Sequence, residues 1–438
     1  MSDAHLHLPA DPTSRERLAA FGLRYEVVAS SDRDAYTGWF RADARGFHDA
    51  EPAAEVLAQE LEGLAFRRTV GIFDDTIVDR GAPVATVSSW PMQLTVPGRR
   101  DVTAWAISSV TVSATHRRRG IARNMLEGEL RTARELGIPL AMLTVSEATI
   151  YGRYGFGPAN RQSPYEVDTK RVRWTGPVPE GRVHYVNRDD FVENGPAVAE
   201  RQRLDVPGEV ERWPMWWRRR AGLIEPDSEQ SRRIRVARYD DASGTPQGFA
   251  VFHLADMDGF RGTVVVDHLL SATRDAEAAL WRFLLEQDLV VKATADLRSP
   301  ADPLPWYVDD VRGVRKTDER DHLWLRVLDP VASLEARTYA AAGRVALRVA
   351  DALGFADGTV LLETDDRGAA SASRVAEPPT GVPTLDVPIA SLGSLLLGGV
   401  TAETLLRVGR VQEATPGAAV ATDAVFRSPV VPFTSIWF

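Results

Sequence analysis

Val110-Thr111-Val112-Ser113-Ala114-Thr115-His116-Arg117-Arg118-Arg119-Gly120-Ile121-Ala122-Arg123 is the stretch on which the fold turns. The apolar, β-branched run Ala104 to Val112 that leads into the loop reads as a strand. Beyond the loop, Ile121 to Leu136 carries Met125, Leu126, Leu130 and Ala133 at helical spacing. A helix that starts this way offers its first N–H groups unpaired, at the positive end of the helix dipole, and that favours phosphate. Gly120 lets backbone approach a pyrophosphate, Ala122 is small for the same reason, and Arg117, Arg118, Arg119 and Arg123 add positive charge. Alone, R-x-x-G-x-A is a weak pattern that would fit any helix beginning with solvated arginines. Between this strand and this helix it reads as a phosphate loop. His116 is a candidate general base by type, although a loop histidine beside three arginines is more commonly solvated.

Working outward, Arg24 to Ala29 reads as a strand and Glu51 to Leu61 as a helix with Pro52 in its first turn. Val70 to Asp74 and Ala82 to Pro91 read as antiparallel strands, and Leu140 to Val145 as a buried strand. A glycine-rich turn follows at Tyr151-Gly152-Arg153-Tyr154-Gly155-Phe156-Gly157-Pro158. A second unit repeats the plan with strands at Arg233 to Arg238, Gly248 to Leu254 and Gly262 to Leu270, a helix at Asp275 to Gln287 and a strand at Leu289 to Ala295. Its strand-to-helix join, Leu269-Leu270-Ser271-Ala272-Thr273-Arg274, contains no glycine, so no second phosphate loop is expected. A third unit from Pro330 shows strands at Gly343 to Val349, Gly358 to Glu363 and Ala370 to Val375. Helical stretches follow at Pro388 to Leu396, Thr401 to Val408 and Gly417 to Phe426, and the chain closes on Ile436-Trp437-Phe438, a tail apolar enough to pack inward. Trp213, Trp216 and Trp217 are read as packing between domains.

The 438 residues exceed one ordinary core and predict two or three domains. With 61 acidic against 52 basic residues the formal charge is −9, which disfavours nonspecific nucleic-acid binding and suits a cationic substrate as well as plain solubility. Cysteine is absent, which excludes disulfides, thiolate catalysis and Cys-ligated zinc. The histidines are scattered, with His5 and His7 in a terminus expected to be loose, and no metal site is predicted. The serine-hydrolase elbow, the Walker loop and the dinucleotide fingerprint are all missing. No run approaches the ~18 apolar residues of a membrane span. Met1 to Pro12 lacks a basic-then-apolar leader, so no membrane partner and a cytoplasmic location are the expectations; nonclassical export would leave no such mark.

Arg117, Gly120 and Ala122 match R/Q-x-x-G-x-G/A, and at this loop the chain resembles the GNAT superfamily of N-acetyltransferases. Taken with Ser146-Glu147-Ala148-Thr149-Ile150-Tyr151 and the glycine turn, the longer string is similar to the Eis (enhanced intracellular survival) acetyltransferases. The resemblance implies an α/β and α+β architecture over essentially the whole chain. A GNAT domain would occupy 1–160, a degenerate second GNAT domain 161–329, and a sterol-carrier-like domain 330–438. It implies acetyl-CoA as co-substrate, with backbone of Val110, Thr111 and Val112 holding the pantetheine arm. The N–H groups from Arg118 through Ile121 to Arg123 would cradle the pyrophosphate, and Ser146 and Glu147 would flank the cofactor where two strands splay. It also implies Tyr151 as general acid and the terminal carboxylate of Phe438 as general base. On the residues alone, Tyr151 and Tyr154 are equally placed.

Such a division of labour is chemically reasonable. An alkyl ammonium must lose a proton before it attacks, and a terminal carboxylate, of reference pKa ~3.5, is ionised to accept it. A tyrosine can protonate the departing thiolate. Trp39, Phe40 and Phe47, with Asp32, Asp34 and Asp49, lie where the family shapes its acceptor cleft and would suit a polyamine or aminoglycoside. Ser109 stands where a bulky aromatic would be expected. The resemblance further implies a homohexamer built as a trimer of dimers. The expected activity is acetylation of primary amines on cationic small molecules. The rivals are a protein lysine or N-terminal acetyltransferase, and a carrier protein with a vestigial loop; the intact loop, Tyr151 and the aromatic terminus argue against the last.

Overall fold

Alternating β-branched and aromatic residues build a central sheet whose strands are Leu23–Val28 (β1), Arg68–Asp74 (β2), Ala85–Val96 (β3), Arg100–Val112 (β4) and Leu140–Thr144 (β5). The structure is a computed structural model that describes residues 3–259 and 261–438. β1 to β4 are antiparallel neighbours, and β4 runs parallel to β5. That last pairing is short: it covers Ala104↔Leu140, Trp105↔Ala141 and Ala106↔Met142, after which the ladder stops. The rest of β4, through Val110 to Val112, is free of β5 on that side. The helix Ile121–Glu135 covers the sheet with Met125, Leu126, Leu130 and Ala133 fully buried, and Gly137 at φ 69° and Pro139 close it off.

The chain divides into two compact units. One gathers the residues up to Ala159, Leu323–Pro429 and Trp437–Phe438; the other holds Asn160–His322 and Val430–Ile436. The expected segment 161–329 and the compact unit Asn160–His322 differ at their far end. Leu323–Val327 pairs antiparallel with β5 and joins the first sheet, with Leu323 and Leu325 fully buried.

The second unit is an eight-stranded sheet in which Arg261–Ser271 and Val290–Arg298 form the parallel pair and Arg274–Leu285 is the crossover helix. Trp216 and Trp217 pack inside this unit, against His268 and Phe191 respectively. The third sequence segment folds as a five-stranded sheet with the helices Ile389–Leu395, Ala402–Arg407 and Ala418–Phe426. Its strand Thr384–Pro388, parallel to Gly343–Ala350, has no counterpart in the sequence reading.

The N-terminus is not loose. Met1 and Ser2 lie outside the described residues, but Asp11 caps the helix Pro12–Ala19 by accepting from the Ser14 N–H at 2.7 Å. His5 is buried, hydrogen-bonded to the Phe66 carbonyl at 2.8 Å and set edge-on to Trp105. Among the described residues no helix is long and apolar enough to cross a membrane.

Candidate functional site

The loop after β4 has the geometry of an anion nest. Arg118 at φ 63° and Gly120 at φ 73° both adopt the left-handed conformation, which turns successive N–H groups to one side. A Cβ on Gly120 would meet nothing closer than 3.7 Å, so glycine is required there by conformation and not by space. Gly120 caps the helix Ile121–Glu135 with no side-chain hydrogen bond, and the first turn carries no acidic residue. The helix start carries no side chain of its own that would compete with an anion, and Arg117, Arg118, Arg119 and Arg123 are exposed around it. His116 is not solvated: it is buried, with Nε2 3.1 Å from Asp74 Oδ2 and Nδ1 2.8 Å from Thr115 Oγ1.

A cavity of about 950 Å³ runs along this loop. Its walls include all twelve residues expected at the cofactor except Arg119, namely Val110, Thr111, Val112, Arg117, Arg118, Gly120, Ile121, Ala122, Arg123, Ser146 and Glu147, and Tyr151 and Tyr154 line it as well. Phe47, of the acceptor candidates, also lines it. The residues present fit an extended thioester of a nucleotide. They offer free strand edge at Val110 to Val112, a cationic nest, and an opening where β4 and β5 part.

The end of β5 ties down one of the two expected catalytic groups, Phe438, while the other, Tyr151, follows it in the chain. Tyr151 is buried and meets Phe156 edge-to-face at 6.2 Å. Burial pushes its hydroxyl above the usual tyrosine range, and the nearby Ser146 hydroxyl pulls the other way. Tyr154 is raised by burial too. Two residues before Ser146, Thr144 Oγ1 donates to the Phe438 backbone oxygen at 3.0 Å and accepts the Phe438 N–H at 3.3 Å. The Phe438 ring sits edge-on to Trp90 at 6.1 Å, and the Arg67 guanidinium covers the Trp90 face at 3.9 Å. Thr144, Trp90 and Arg67 were invisible to sequence reasoning, because nothing local marks a residue that meets a chain end.

Ser109 marks a bulge. It has φ 55°, and the β3–β4 register shifts between Thr86↔Thr111 and Ser88↔Ser108. Its hydroxyl donates to Asp43 Oδ2 at 3.2 Å, and its carbonyl accepts from Thr86 Oγ1 at 2.9 Å. Asp43 lies on the helix Arg33–Gly46, which Asp32 caps through the Ala35 N–H at 3.1 Å. That helix is pressed onto β4: a Cβ on Gly46 would stand 2.4 Å from Thr111 Cβ.

Of the expected acceptor residues, Trp39 is core, buried with Tyr36, Leu57 and Leu61 and bonded through Nε1 to the Val70 carbonyl at 2.8 Å. Phe40 is half-buried against the same cluster. Asp32, Asp34 and Asp49 do gather. They line a second cleft of about 1000 Å³ with Glu51 and Asp79, where five acids face Arg41 and Arg45. His48 lines both spaces.

Family models match three segments of the chain. An "Acetyltransferase (GNAT) domain" matches residues 28–159, a second one 208–351, and a "Sterol carrier protein domain" 330–435. Fold and loop together define a tandem GNAT acetyltransferase with an appended sterol-carrier domain, and acetyl-CoA is its acetyl donor. An uncharacterized N-acetyltransferase of Streptomyces avermitilis is 37% identical over 90% of this chain and 94% of its own length. N-acetyltransferase Eis of Mycobacterium tuberculosis is 31% identical over 79% of this chain and 84% of its own. The crystal structure of Eis1 from Mycobacterium abscessus matches with a TM-score of 0.80 at 28% identity, covering 95% of this chain and all of that one. A GCN5-related N-acetyltransferase from Kribbella flavida, 22% identical with a TM-score of 0.72 over 96% of this chain, shares the fold. The chain belongs to the Eis family of N-acetyltransferases.

Proposed function

We propose that this acetyltransferase modifies primary amines of cationic small molecules, with Tyr151 as general acid and the terminal carboxylate of Phe438 as general base. The observation that carries the reading is the tethering of Phe438 to Thr144 at the end of β5, with Tyr151 and Ser146 both on the wall of the cavity. Bound at the nest, acetyl-CoA supplies an acetyl thioester. The backbone at Val110 to Val112 is free to pair with its pantetheine arm, and the N–H groups from Arg118 to Arg123 are free for its pyrophosphate. The carboxylate takes the proton that the ammonium must lose; the new N–C bond forms as the C–S bond breaks, and Tyr151 gives its proton to the departing sulfur. The acid-rich cleft that shares His48 with the donor cavity supports a cationic acceptor, since carboxylates on its walls raise the local concentration of ammonium groups.

A short extension beyond Phe438 tests the base, because it keeps every side chain and turns the carboxylate into a neutral amide. Turnover of a polyamine should fall by roughly 10²–10⁴ with acetyl-CoA binding retained. Normal turnover across a pH series in the extended enzyme would place the base elsewhere.

A further inference from the structure

The donor cavity is lined by two residues from far along the chain, Ala352 and Leu353. They belong to the loop between the strands Gly343–Ala350 and Gly358–Thr364, in the segment matched by the sterol-carrier model. We propose that this third-domain loop is part of the acetyl-CoA site, its Ala352–Leu353 edge forming the wall against which the nucleotide half of the donor packs. The inference rests on the reading of Arg118 to Arg123 as the pyrophosphate nest.

The cavity divides by chemistry. Tyr151, Ser146 and Glu147 occupy the end proposed for the thioester, and Val110 to Val112 the stretch proposed for the pantetheine arm. Outside those groups the lining also includes Glu127, bonded to Arg123 of the nest at 2.7 Å, together with Arg153, Tyr154, Ala352 and Leu353. An adenosine carrying a 3′-phosphate needs an apolar face for the base and cations for the phosphate, and this group supplies both.

The loop is built in advance. Asp351 is buried and accepts the N–H groups of Leu353 at 3.1 Å, Phe355 at 3.0 Å and Ala356 at 3.0 Å. Both its oxygens are 2.7 Å from Arg326 Nη2, and Arg326 Nε donates to the Tyr154 carbonyl at 2.8 Å. One guanidinium thus locks the loop to the glycine turn that carries Tyr154. Leu353 and Phe355 also pack on the first domain's core, and the Arg134 guanidinium lies 5.0 Å over the Phe355 ring. Leu353 is half-buried, with the remainder of its side chain facing the cavity space, and Ala352 is exposed.

Two variants and two donors test the assignment. Leu353→Ser removes the apolar wall. Ala352→Asp starts from an exposed side chain, so it threatens the fold least, and it places negative charge beside the phosphates. Each should weaken acetyl-CoA about 10-fold in calorimetry, from lost contact area or repulsion. The KM for S-acetylpantetheine, which lacks the nucleotide, should not move. Unchanged acetyl-CoA affinity in folded Ala352→Asp would overturn the inference, as would equal losses with both donors. Gly120→Glu separates it from the reading beneath: if that variant alone loses acetyl-CoA, the nest stands and only the third-domain wall is lost. Undiminished binding in Gly120→Glu would sink both.

Discussion

Asp43 is a carboxylate under tension between burial and its partners. Desolvation pushes its pKa from 3.8 up to about 6, while the Ser109 hydroxyl, the Arg67 charge and Thr86 pull it down and Asp49 adds to the rise. The folded protein therefore holds this proton more tightly than the unfolded chain. Its contribution favours folding in acid and is lost as pH climbs from about 4 to about 6. Some two pKa units correspond to at most about 3 kcal/mol. Asp43→Asn, which keeps the shape without the charge, should melt several degrees above the parent at pH 7 and level with it at pH 4. A variant less stable at pH 7 would show that the ionised carboxylate holds the Ser109 bulge in place. At Tyr151 the expectation concerns rate. Tyr151→Phe should lose roughly 10²–10⁴ in turnover with acetyl-CoA affinity kept, whereas Tyr154→Phe should lose far less, if Tyr151 is the acid as proposed. The reverse ranking would exchange their roles. The residues alone do not choose between these two tyrosines; the family resemblance does.

The two strand-to-helix joins differ in how they leave the helix start. In the first unit Gly120 leaves the helix start open, without side-chain cap or first-turn acid. In the second, Thr273 caps the Ala276 N–H at 3.1 Å, and Asp275 and Glu277 occupy the first turn. A phosphate would have to displace a cap that is already satisfied and approach two carboxylates. Equilibrium binding should accordingly saturate at one acetyl-CoA per chain; a stoichiometry of two would contradict the argument. The missing glycine was legible in the sequence. So were most of the strands and helices, since the spacing of buried residues is a local property. The helix Pro12–Ala19 was overlooked although Asp11-Pro12 is a recognisable start, and the loose terminus expected for His5 gave way to a buried one.

At the scale of the molecule, one compact unit combines the first domain with the third-domain segment and the last two residues. That combination decides what surrounds the donor cavity. Sequence alone determined the strand, loop and helix at Val110 to Arg123, the repeated plan and the absence of glycine from the second join. Each of these rests on backbone demands and periodicities set by neighbours within a few residues, and the family was legible as a resemblance in the motifs themselves. Tertiary structure alone decided that Leu323–Val327 completes the first sheet, that Thr144 holds a residue 294 positions away, and that Ala352 and Leu353 reach the donor cavity. Those pairings depend on which surfaces fit one another once folded, and residues far apart in a chain carry no local pattern that announces it.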